Sequence, residues 1–94
     1  MDIVWRRTAL DDLEAARRYI ARDSPQAAAR VYAAILAAVG RLAIHPSLGR
    51  PGRVDDTREL VVPRTPYIVA YALIDDQVMV LAVMHSARKW PDRF

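Results

Sequence analysis

The spacing of apolar positions changes along the chain, and each change marks a new element. Ile3 and Trp5 alternate with Val4 and Arg6, so residues 2–6 read as a short strand. From residue 9 the spacing lengthens to i, i+3, i+4. Leu10, Leu13, Ala16 and Ile20 then form the buried stripe of a first helix over residues 9–22. Thr8-Ala9-Leu10-Asp11 has the form of a capping box, with a hydroxyl for the amide three residues on and a carboxylate at the positive helix end. Arg17, Arg18 and Arg22 fall toward the C-terminal half, where cations suit the dipole. Ser24-Pro25 is a good N-cap followed by proline at the first helical position. A second helix over 25–44 then buries Ala28, Val31, Ile35, Ala38, Val39 and Leu42. Only Asp23-Ser24 separates the two, which predicts a helical hairpin, and His45-Pro46 ends it.

Residues 46–56 hold two glycines and two prolines and read as the one extended loop. Three strands follow, over 57–62, 67–74 and 77–85, with Asp75-Asp76 as a tight turn. A two-residue turn sets Ile74 against Gln77. One face of this hairpin then carries Tyr67, Val69, Tyr71, Leu73, Val78, Val80, Ala82 and Met84. The other carries Ile68, Ala70, Ala72, Ile74, Met79, Leu81, Val83 and His85. Both faces are apolar, and one helical hairpin covers one of them. The second face therefore asks for a partner.

Composition narrows the class. Ninety-four residues make one small domain, and 53% hydrophobic content is too apolar for disorder. The absence of cysteine excludes disulfides and thiolate zinc sites and fits a reducing cytoplasm. No apolar run reaches membrane-spanning length, and the first residues lack the pattern of a secretory leader. Fourteen basic against eleven acidic residues give +3, spread evenly on either side of Pro46. Thirteen of the fourteen basic residues are Arg, beside sixteen Ala, a bias that a GC-rich genome explains. Arginine also suits planar recognition of phosphate or carboxylate, so charge permits a nucleic-acid or an acidic-protein partner.

Little of the chain carries chemistry by itself. His45 and His85 stand forty residues apart without metal-ligand spacing, and no nucleophile elbow exists. Gly49-Arg50-Pro51-Gly52-Arg53 lacks the ending of a phosphate loop and reads as a turn. There remain Arg58, His85 and Arg88 near strand ends: an imidazole for proton transfer and two cations for phosphate. The bland reading makes His85 a core or capping histidine and leaves the arginines solvated. His45 suits the end of a helix, and Tyr71 suits the core. Trp90 reads as a tail indole packing on the sheet, or as an aromatic for a partner.

The order of these elements resembles the RelE/ParE toxin superfamily. Trp5…Ala9-x-x-Asp12-Leu13, Tyr19-Ile20-Ala21, Pro25-x-Ala27-Ala28 and Leu42…Pro46-x-x-Gly49-Arg50-Pro51-Gly52 carry the resemblance in the first half. Thr57-Arg58-Glu59-Leu60-Val61-Val62, Pro66-Tyr67-Ile68-Val69…Tyr71 and Val83-x-His85-x-x-Arg88-x-Trp90-Pro91 extend it, so that it spans residues 4–91. It implies an α+β fold, β-α-α-β-β-β, with the helical hairpin on one face of a small, mostly antiparallel sheet. It also implies the toxin of a type II toxin–antitoxin module, of the kind once called plasmid stabilisation proteins. The implied partner is a small acidic antitoxin with a DNA-binding N-terminal part and a C-terminal segment folding along the toxin. Toxin and antitoxin would form a hetero-oligomer. On the uncovered sheet face the partner would meet Ile68, Ala70, Leu81 and Val83, and beyond them Trp90. No cofactor or metal is implied.

The superfamily divides by target. RelE-like members cleave mRNA on the ribosome with basic residues and a terminal His or Tyr. Many carry an Arg three residues before the Tyr of the third strand, where this chain has Ile68. The C-terminal Tyr of several nucleases is also missing from His85-Ser86-Ala87-Arg88-Lys89-Trp90. ParE-like members poison DNA gyrase and need no nuclease site. The apolar strand face and the His85-x-x-Arg88 end favour this second reading, with Arg58, His85 and Arg88 as candidates for toxicity.

Overall fold

In the computed structural model, which describes residues 1–88, 91 and 94, one strand precedes two helices and four strands follow. They are β1 (Asp2–Trp5), α1 (Arg7–Ala21), α2 (Pro25–Gly40), β2 (Arg50–Pro51), β3 (Arg58–Val61), β4 (Tyr67–Ile74) and β5 (Gln77–His85). The strands make a five-stranded sheet in the order β1-β5-β4-β3-β2, antiparallel except for the β1–β5 pair. This is the expected α+β architecture, with one strand fewer foreseen, since Arg50–Pro51 adds a two-residue edge to the loop.

Ser24 caps α2 as its sequence suggests, its Oγ accepting from the Ala27 amide at 3.1 Å, with Pro25 opening the helix. All six residues of the α2 stripe are buried. The helix stops at Gly40 rather than Ile44. A single 3₁₀ turn over Arg41–Ala43 tightens the chain there and keeps Leu42 fully buried.

The first helix begins earlier than its sequence suggests, at Arg7, and no side chain caps it. Thr8 lies inside the helix, where its hydroxyl donates to the Leu81 carbonyl at 3.4 Å. The buried line is Ala9, Leu13 and Ala16, with Ile20 packed at its margin, and Leu10 is 45% exposed. A step of one residue turns a helix by about 100°, which carries Leu10 off the sheet side.

The Asp75-Asp76 turn has both residues at positive φ, 51° and 60°, and sets Ile74 opposite Gln77. That register runs to Tyr71 opposite Val80 and then slips: Ala70 pairs with Ala82, leaving Leu81 as the extra residue of a bulge. Beyond the bulge the two sides of β5 exchange. Val83 and His85 share the face of Val69 and Tyr67, toward the helices, while Ala82 and Met84 take the opposite face. Val83 packs in the core with Val69, Leu60 and Leu13, so it leaves the face on which strict alternation had put it.

The second face is also less bare than alternation predicts. Ile68, Ala70, Ala72, Leu81 and Ala82 are all buried within the chain. Three of these are alanines, which expose little area in any case. Large exposed apolar groups are instead found on the helices (Leu10, Tyr19, Leu36), in the segment after α2 (Ile44, Leu48), at Val61 of β3 and at the end of β4 (Leu73, Ile74).

Candidate functional site

The bulge in β5 needs partners for its backbone, and α1 supplies them. Thr8 takes the Leu81 carbonyl, and the Asp12 carboxylate accepts from the Val83 amide at 3.1 Å. Asp12 thereby enters a small cavity of about 50 Å³ that Tyr67, Val83, His85 and Arg88 also line. Burial pushes the Asp12 carboxyl above its ordinary value; the Val83 amide opposes this, Asp11 adds to it, and Arg88 opposes it again. Tyr67 is buried, and that burial raises its phenol too, offset by the Arg88 charge and reinforced by Tyr19. The phenol therefore stays neutral at physiological pH.

His85 sits across from Tyr67, with ring centroids 5.5 Å apart and planes at 81°, an edge-on contact. Its Nδ1 accepts from the Ala87 amide at 3.1 Å, which puts the proton of the neutral ring on Nε2. The turn after β5 is closed by the Ser86 amide to Pro66 O and the Arg88 amide to His85 O, at 2.8 and 3.0 Å. These bonds set Arg88 at the mouth of the cavity. The cavity is too small for a nucleotide, and the Asp12 carboxylate there disfavours a phosphate.

Arg58 belongs elsewhere. It pairs with Tyr71, four residues along β4 from the Tyr67–His85 pair, about 13 Å away along the strand and on the other flank of it. Its guanidinium donates to Gly49 O at 2.7 Å and Ser47 O at 3.4 Å. Beside it the Tyr71 hydroxyl donates to Pro46 O at 2.8 Å and accepts from the Gly49 amide at 2.9 Å. The three candidates Arg58, His85 and Arg88 thus fall into two places: a loop clamp, and a polar cavity at the end of β5.

Sequence reasoning passed over three residues. Asp12 appears in the Ala9-x-x-Asp12-Leu13 pattern without a role, and Tyr67 only as one residue of a strand face and of the Pro66-Tyr67-Ile68-Val69 motif. Glu59 is the one buried charged residue among those described. Its carboxylate accepts from Arg50 Nη2 at 3.2 Å and from the Arg53 amide at 2.8 Å, joining β3 to the loop. A lone acid among the apolar residues of a strand was the available signal.

Of the residues expected to meet a partner, Ile68, Ala70 and Leu81 are buried on the second face and Val83 points to the core. Trp90 lies outside the described residues. No described cluster of His, Cys, Asp or Glu could hold a metal ion, and no helix is long and apolar enough to cross a membrane.

Comparison with known proteins agrees with this architecture. The profile of the ParE toxin of type II toxin–antitoxin systems matches residues 3–90. The chain is 48% identical over 89 residues to Y4kP, a candidate toxin of Sinorhizobium fredii, covering 95% of this chain and 92% of that one. It is 37% identical over 86 residues to toxin RelE2 of Caulobacter vibrioides, covering 92% and 96%. Among solved structures, a chain of the chromosomal ParDE system of P. aeruginosa superposes with a TM-score of 0.80 at 25% identity, over 90% of this chain and 95% of that one. The chain belongs to the ParE family of toxins of type II toxin–antitoxin systems.

Proposed function

We propose that this chain arrests growth by binding DNA gyrase, and that a cognate antitoxin encoded beside it holds it inactive in a hetero-oligomer. The observation that carries the choice of target is the separation of Arg58 from His85 and Arg88. A ribonuclease needs its cations and its acid–base group convergent on one phosphate. Here Arg58 is spent on two loop carbonyls, and a carboxylate shares the His85 cavity. A toxin that acts by docking has no need of such convergence. The match to the ParE profile supports the same reading.

The test is pulse-labelling of DNA and protein synthesis in the minutes after induction without antitoxin. DNA synthesis is expected to fall first, with a rise in the DNA-damage response. If protein synthesis stops first, the ribosome-dependent endonuclease is the function instead, and mapped mRNA ends on stalled ribosomes will carry the cuts. Within this reading Arg58, His85 and Arg88 all contribute to toxicity, the first through the loop it holds. Alanine at each, scored by growth arrest with antitoxin binding retained, checks this. Full toxicity in all three variants would sink the site.

A further inference from the structure

We infer that the bare edge of β3 at Val61, with the groove between it and Leu48, takes an acidic extended segment of the antitoxin as an added strand. This rests on the toxin–antitoxin reading and names the surface that the partner uses.

The edge is bare for a reason visible in the loop. β2 pairs Arg50 with Glu59 and Pro51 with Arg58, and the same register continued backward would set Leu48 against Val61. It does not continue, because the Tyr71 hydroxyl takes the Gly49 amide and Pro46 carbonyl while Arg58 takes the Gly49 carbonyl. The loop is drawn away from the line of β2, and a groove of about 320 Å³ opens between it and β3. Backbone groups alternate sides along a strand. The Val62 amide donates to Tyr67 O on the β4 side, so the N–H and C=O of Val61 point outward. No described residue pairs with them. Pro63 has no N–H to extend the ladder, which limits an added strand to a short one in a defined register.

The groove also states what it would hold. Leu48 and Val61 are 47% and 49% exposed, and Leu60 forms the floor between them. Arg41 and Arg50 stand on the rim. Glu59, the only acid there, is already engaged by Arg50 and the Arg53 amide. The rim is thus net positive around an apolar slot. A segment that alternates an apolar residue with acids satisfies the main chain, the slot and the rim together.

The test uses the intact chain and short synthetic peptides tiling the antitoxin encoded beside it. An acidic tile is expected to bind and to slow hydrogen exchange at the Val61 amide. Arg41→Glu, on the exposed rim, and Val61→Pro, which removes the outward N–H together with the valine side chain of the slot, should each weaken that tile about tenfold or more. Unchanged affinity in both variants, or unchanged exchange at Val61 on binding, would overturn the edge. If the whole antitoxin then still binds and neutralises, the edge falls and the toxin reading stands. If the whole antitoxin fails to bind, both fall. A dimer of the chain alone that Val61→Pro abolishes would assign the edge to a second copy and overturn the proposal.

Discussion

Gly49 and Tyr71 decide the path of the loop that carries β2. A Cβ on Gly49 would lie 2.8 Å from the Glu59 carbonyl oxygen and 2.8 Å from the Tyr71 ring and hydroxyl. Neither can yield cheaply, since one is strand backbone and the other is fully buried. Gly49→Ala is therefore expected to cost about 1–3 kcal/mol, read as a lower midpoint in thermal or denaturant unfolding. Tyr71→Phe keeps the ring but strands the Gly49 amide in a buried place, with a similar expected loss of about 1–3 kcal/mol. Tyr71 was legible in the sequence as a core residue from its alternation with Val69 and Leu73. The task of its hydroxyl was not, because its partners lie more than twenty residues upstream.

Among the elements, the two helix starts show how far local patterns reach. Ser24-Pro25 is a complete local signal, and Ser24→Ala is expected to cost about 1 kcal/mol in unfolding stability. Thr8 offered an equally good local signal and is used differently. A bulge across the interface needed its hydroxyl, and Asp12 one turn later needed the same inward face. Asp12 makes the second test. Its native pKa is raised, so the folded state holds that proton more tightly than the unfolded chain does. Stability from this group is therefore greatest below the ordinary value of 3.8 and declines as pH rises through the raised native value. Asp12→Asn can keep the Val83 bond without the charge. It should be more stable than the parent at neutral pH, with the difference vanishing on acidification below about pH 4. Asp12→Ala also removes the charge but leaves the Val83 amide unpaired, and should fall below Asn by about 1–3 kcal/mol. Urea unfolding of the three proteins across acid to neutral pH checks both signs.

For the molecule as a whole, the cations divide by what they hold. Arg58 fastens the 46–50 loop to the sheet, and Arg88 is exposed at the end of β5. Arg58→Ala should therefore lower thermal stability along with toxicity. Arg88→Ala should change stability by no more than about 0.5 kcal/mol whatever it does to growth arrest. Scanning calorimetry beside the growth assay separates the two roles; equal stability loss in both variants would contradict the division. The same view shows where apolar side chains stay exposed. Alternation places unburied apolar area on the second sheet face, but Ile68, Ala70 and Leu81 are buried there, and exposed apolar groups lie instead on the helices, as Leu10 and Leu36 do, in the loop at Leu48 and on the β3 edge at Val61.

The sequence by itself determined the elements whose signals are local. The change of period from two to 3.6, Ser24-Pro25, and the turn at Asp75-Asp76 placed both helices and the long hairpin. The ordered motifs along residues 4–91 also carried the family resemblance that the comparisons uphold. Tertiary structure alone decided the bulge at Leu81, which turned Val83 and His85 toward the helices and brought His85 to Asp12, a residue near the other end of the chain. It alone parted Arg58 from His85. Period and capping are properties of neighbouring residues, and a strand pattern reads the same with or without one extra residue in its partner. A slip of one residue exchanges the faces of all that follows, and only the pairing of distant segments sets where it falls.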